Sequence, residues 1–183
     1  AFTHQDTECM TLALKLSQFG RKAVGANPLV GCVISRDDKI IAQDYHRLYG
    51  KAHAEVNALE KINYKGENTK VYITLEPCSH SGKTPPCADA LIKAGVKKVF
   101  IAMLDPNPLV SGRGIKLLQD SGIEVEVGLL EKEANEINRG FIKRMKSGLP
   151  FVTSKIAMSV DGRTAMKNGE SKWITCLLYT SPS

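Results

Sequence analysis

The hydrophobic period of this 183-residue chain switches along its length, and that switch constrains the fold more than any other feature. Leu29–Ser35 and Ile40–Tyr45 are short apolar runs on either side of a polar turn, Arg36-Asp37-Asp38-Lys39, the pattern of a β-hairpin. Residues 6–19 before it place Met10, Ala13, Leu14 and Ser17 on one helical face, with Gly20 as a stop. Beyond the hairpin, helix-like and strand-like segments alternate. His53–Ile62, Ala88–Ala94 and Gly114–Ser121 read as helices, and Lys70–Leu75, Val96–Met103 and Ile123–Leu129 as strands. Glu131–Lys146 reads as one longer helix, with acids in its first turn and bases in its last, as the helix dipole favours. Gly148-Leu149-Pro150 breaks it, and Phe151–Met158 reads as the first strand of a further unit. Strands alternating with helices require an α/β layered sheet, and the hairpin makes that sheet mixed rather than all parallel. A first domain is expected to close near residue 147. The 33 residues after Pro150 are too few for a second core, so a truncated second domain is expected.

Composition narrows the class. With 43% hydrophobic and 24% charged residues, the chain can bury a core without disulfide staples. No run of 18 apolar residues suggests a membrane span, and no charged-then-apolar leader suggests secretion; a cytoplasmic protein is expected. In that compartment five scattered cysteines point to metal or catalytic use before disulfides. The net charge of +6 fits a solvated basic face, a phosphorylated small molecule or nucleic acid. No basic tract interleaved with aromatics supports a nucleic-acid groove, so no nucleic-acid partner is expected.

Three segments carry chemistry. His53-Ala54-Glu55 opens a helix, Pro77-Cys78 follows a strand, and Pro86-Cys87 opens the next helix. One histidine and two thiolates are zinc ligands, and three protein ligands leave a fourth position for water. Zinc lowers the pKa of such a water to about 7. Glu55, two residues after His53, can reach that water without ligating the metal and can pass its proton to a leaving amine. His-x-Glu followed by Pro-Cys-x-x-Cys is the zinc-deaminase signature. Here eight residues, Ser79 to Pro86, separate the two cysteines in place of two. Gly82 and the Pro85-Pro86 pair make that stretch a loop. Anchored at both ends by ligands, it places His80 and Lys83 beside the reaction centre. Lys83 there could meet a phosphate or a polar base edge, or face solvent as an ordinary loop lysine. His80 could also complete a structural zinc site as a fourth ligand. Cys9 and Cys32 read as packed, inert thiols.

Asn27-Pro28-Leu29-Val30-Gly31, His53-Ala54-Glu55, Thr74-Leu75-Glu76-Pro77-Cys78-Ser79-His80, Gly82-Lys83-Thr84-Pro85-Pro86-Cys87 and Asp105-Pro106-Asn107-Pro108 together resemble the bacterial bifunctional riboflavin biosynthesis family, called RibD or RibG. The resemblance covers about residues 6–175, and the long Cys-to-Cys spacing is specific to that family among deaminases. It implies a three-layer α/β/α, cytidine-deaminase-like fold for residues 1–147. The implied reaction is deamination of 2,5-diamino-6-ribosylamino-4(3H)-pyrimidinone 5′-phosphate with release of ammonia. It implies His53, Cys78 and Cys87 on Zn2+, Glu55 as proton shuttle, and Asn27, His46, His80, Lys83 and Asn107 on substrate. Lys155–Arg163 and Gly169–Thr175 resemble the opening of the family's reductase, a dihydrofolate-reductase-like domain. There the positions of Ala157 and Trp173 meet NADPH and that of Ser171 meets substrate. No Gly-x-Gly-x-x-Gly occurs, so no Rossmann fold is expected. Residues 148–175 are thus expected to be a truncated reductase start, and residues 176–183, which leave the pattern, a foreign tail. The resemblance also implies a homo-oligomer for the full-length protein.

Overall fold

The computed structural model describes residues 2–79, 86–107, 111–156, 158–165 and 167–169. Two strands, β1 (Gly31–Arg36) and β2 (Lys39–Tyr45), pair antiparallel as the hairpin. Asp37 and Asp38 turn it with φ of +49° and +58°, the left-handed pair that matches strand twist in a two-residue hairpin. β3 (Thr69–Leu75) lies antiparallel to β1, and β4 (Lys98–Met103) and β5 (Glu124–Val127) follow in parallel. The sheet is mixed, as the hairpin pattern predicts, and runs β2-β1-β3-β4-β5.

Helix α1 (His4–Ser17) covers one face of the sheet. Its capping box is reciprocal: the Thr3 hydroxyl accepts from Asp6 N–H at 3.1 Å, and the Asp6 carboxylate accepts from Thr3 N–H at 2.9 Å. Tyr72 on β3 donates its hydroxyl to the same carboxylate at 2.8 Å, which ties the helix start to the central strand. A 3-10 turn, Gln18–Lys22, extends the helix. Helices α2 (Ala54–Glu60), α3 (Cys87–Ala94) and α4 (Arg113–Asp120) form a contiguous row. The β3-α3-β4 and β4-α4-β5 crossovers share one hand, so α3 and α4 lie on one side of the sheet. Val33, Ile34, Val71, Ile73, Val99 and Ile101 fill the core with no exposed surface.

Two expectations are corrected. The single helix over 131–146 is two, α5 (Glu131–Ile137) and α6 (Arg139–Ser147), interrupted at Asn138 with φ −102° and ψ 15°. Periodicity could not show this, because the break serves a partner 109 residues away: Asn138 bonds the backbone of Leu29. The strand expected over 151–158 is absent among the described residues, where residues 151–156 and 158 are exposed and irregular. An apolar strand pattern without a neighbouring strand has nothing to pair with.

The chain divides into two units, residues 1–151 and 152–183. The described part of the second carries no helix or strand; Ser159 and Arg163 close a turn, with Ser159 N–H on the Arg163 carbonyl at 2.9 Å. Among the described residues no helix is long and apolar enough to cross a membrane.

Candidate active site

The three expected ligands converge. His53 is the N-cap of α2, Cys78 lies three residues beyond the end of β3, and Cys87 is the first residue of α3. Strand-to-helix geometry makes this possible: the C-terminal end of a central strand faces the starts of the helices that flank it. The ligand atoms of all three lie within 4.8 Å of one another, and among the described residues they form the one His/Cys/Asp/Glu cluster able to hold a metal. His53 Nδ1 is 3.1 Å from Cys87 Sγ and 3.6 Å from Cys78 Sγ. Tetrahedral zinc with Zn–S of about 2.3 Å and Zn–N of about 2.0 Å sets its ligands roughly 3.5–3.8 Å apart; the Cys78 distance lies in that range and the Cys87 distance somewhat below it, and one His with two Cys is a donor set zinc takes.

The electrostatics favour a cation there. Hydrogen bonding with Cys87 holds the Cys78 thiol down at about 4, against burial and with help from His53. Part of that bonding is the Cys87 N–H, which points at Cys78 Sγ at 3.2 Å from the first turn of α3. The Cys87 thiol is pushed up, by the Cys78 sulfur first and by burial second. A positive ion between the sulfurs reverses the cause of that rise. The proximity of Cys78 outweighs burial and raises His53.

Glu55 sits in the first turn of α2 and is buried. Its Oε2 has no hydrogen-bond partner among the described residues. Burial raises its pKa to about 7, partly offset by His53. A carboxyl near neutrality can both accept and return a proton. His46 is buried beside it, its ring edge-on to His53 with centroids 5.3 Å apart. His46 Nδ1 lies 3.2 Å from the Ala52 carbonyl, which can only accept, so Nδ1 carries the hydrogen. Burial lowers its pKa, and the neutral ring presents Nε2 as an acceptor without a partner among the described residues.

Both groups open into a cavity of about 340 Å3, which Asn27, Pro28, Val30, Tyr49, Lys51 and Phe141 also line. Asn27 and His46, expected only from resemblance, thus join His53, Cys78 and Glu55 in one pocket. Asn107 does not line it; Asp105, two residues earlier, does. His80 and Lys83 lie outside the described residues, as do Ala157, Ser171 and Trp173.

Sequence reasoning gave Glu76 no role. This buried carboxylate accepts from the backbone N–H groups of Asp105 at 3.2 Å, Gly112 at 3.0 Å and Gly114 at 3.0 Å. It clamps both ends of the β4–α4 loop at the cavity. The signal was an acid at a strand end immediately before Pro77-Cys78, where a charge needs partners that only the fold supplies. Gly114 makes the approach possible, since a Cβ there would strike the Pro77 carbonyl.

The cytidine and deoxycytidylate deaminase zinc-binding region family matches residues 3–103, and the RibD C-terminal domain family matches residues 150–179. The chain is 53% identical over 171 residues to riboflavin biosynthesis protein RibD of Escherichia coli strain K12, covering 93% of this chain and 47% of that protein. It therefore spans about half the length of that relative. It is 51% identical to the diaminohydroxyphosphoribosylamino-pyrimidine deaminase of Buchnera aphidicola subsp. Schizaphis graminum, covering 80% of this chain and 99% of that protein. Among solved structures, Acinetobacter baumannii RibD, form 1, superposes with a TM-score of 0.89 at 50% identity, covering 94% of this chain and 48% of that one.

Proposed function

The chain belongs to the RibD family of riboflavin-biosynthesis deaminases, and on that premise we propose that it hydrolyses the exocyclic amine of 2,5-diamino-6-ribosylamino-4(3H)-pyrimidinone 5′-phosphate. Water adds at the ring carbon bearing the amine, ammonia leaves, and a carbonyl remains. His53, Cys78 and Cys87 would hold a zinc ion, which when bound would supply an acidified water. Glu55 takes one proton of the water and passes it to the ring nitrogen; it then takes the second from the added hydroxyl and delivers it to the departing amine, which leaves the carbonyl. His46 Nε2 accepts a hydrogen bond from the substrate. Asn27 and Asp105 line the pocket from opposite loops and orient the ring, as His80, Lys83 and Asn107 do in the reading by resemblance. One observation carries the proposal: a buried carboxylate with one oxygen, Oε2, unpartnered among the described residues, two residues from His53, lines the same small-molecule cavity as His53 and Cys78.

Residues 148–175 are read as the start of a reductase that longer relatives carry in full. NADPH, with Ala157 and Trp173 on it and Ser171 on substrate, belongs to that longer protein, as does a homo-oligomeric state. A cytoplasmic protein acting on a small phosphorylated molecule, without nucleic acid, fits this role. The test is ammonia release from the phosphorylated pyrimidine, from cytidine and from a tRNA hairpin under one set of conditions. Turnover of the first alone is expected. Preferential turnover of the hairpin, with binding that weakens steeply as salt rises, would overturn the substrate assignment.

A further inference from the structure

The helix break at Asn138 lies against the cavity wall. The Asn138 side chain is buried and pairs with both backbone groups of Leu29: its Oδ1 accepts from Leu29 N–H at 2.8 Å and its Nδ2 donates to the Leu29 carbonyl at 3.0 Å. A primary amide thereby replaces the strand partner that the chain lacks just before β1. Three residues on, Phe141 lines the cavity. Three further on, the Arg144 guanidinium donates to the Ala26 carbonyl at 2.6 Å. Asn138 at the start of α6 and Arg144 within it grip Ala26-Asn27-Pro28-Leu29 at both ends. Asn27 and Pro28, between the two grips, line the cavity, and Val30 beyond them does too.

We propose that Asn138 is a positioning residue for substrate binding, acting through the Asn27–Leu29 segment. Its side-chain hydrogen bonds go to Leu29 and not to the metal ligands or Glu55. Its loss should therefore weaken binding and leave the chemical step alone, which is the signature of lost ground-state and transition-state contacts in equal measure. The inference rests on the proposed reaction, so the wild-type chain is assayed alongside.

Two variants test it in steady-state ammonia release from the diamino-ribosylamino-pyrimidinone phosphate, with zinc content and Tm measured on each. Asn138→Asp is near-isosteric but turns an oxygen toward the Leu29 carbonyl; it is expected to raise KM about tenfold with kcat within about twofold and zinc unchanged. Arg144→Met cuts the second grip at a half-buried position while keeping the aliphatic stem, and is expected to raise KM by a smaller factor, about threefold. A merely structural role would lower Tm without moving KM. Unchanged KM in both variants, or loss confined to kcat or zinc, overturns the positioning role while the reaction stands. If the wild type releases no ammonia, the proposed substrate falls and this inference with it.

Discussion

At the scale of single residues, the cavity gathers polar groups that the fold leaves short of partners. Glu55 and His46 are buried with one polar atom each unbonded among the described residues, and both face the cavity. Burying such groups costs free energy, so their retention points to a bound partner. Glu55→Gln should keep metal content and lose at least about 100-fold in ammonia release, because the amide cannot carry the proton. Equal turnover by that variant would remove Glu55 from the mechanism. Glu76→Gln tests a different role. The amide puts an NH2 where the carboxylate now accepts backbone N–H groups, so the β4–α4 loop should loosen and KM should rise by about tenfold or more. A KM unchanged in kinetic assays would show that the loop holds without the clamp. The convergence of His53, Cys78 and Cys87, with Glu55 beside them, was legible because His-x-Glu and the two Pro-Cys pairs carry their chemistry in residue type and spacing. His46 and Asn27 were legible only through resemblance. Glu76 and Asn138 were not legible as positioning groups, since each serves backbone groups brought near by folding.

At the scale of elements, turn and cap chemistry decides where helices and strands start, and close packing decides what they carry. The hairpin and the alternating helices could be read from period alone. The break between α5 and α6 could not, because helical periodicity continues through Asn138 and only its side-chain bonds to Leu29 explain it. The α1 capping box offers a pH test. Burial raises the Asp6 pKa, but the Thr3 and Tyr72 hydrogen bonds outweigh it and hold Asp6 below its ordinary 3.8. A group depressed on folding stabilises the native state above its unfolded value, and that contribution is lost as pH falls through the folded value. The Tm advantage of wild type over Asp6→Asn should therefore be full above pH 3.8 and shrink below it. A difference constant from pH 6 to about 2.5 would contradict the assignment. Gly114→Ala tests packing at the start of α4. The added Cβ meets the Pro77 carbonyl, backbone that cannot turn aside. A loss of about 1–3 kcal/mol in denaturant unfolding, with weaker metal retention at Cys78, is expected. An unchanged Tm would show that the strand end can yield.

At the scale of the whole molecule, every described residue of the cavity lies within residues 1–151. A chain ending at Phe151 should therefore retain zinc and ammonia release within about twofold of the 183-residue chain, since no described cavity residue is removed. A tenfold or larger loss would mean that residues beyond 151 complete the site. The central claim is that His53, Cys78 and Cys87 hold the ion on which deamination depends. The most direct measurement is the initial rate of ammonia release from the diamino-ribosylamino-pyrimidinone phosphate as zinc is returned to chelator-stripped protein. The account predicts no turnover without metal and a rise that saturates at about one zinc per chain. Full turnover by the stripped protein, or none by the loaded one, would contradict it.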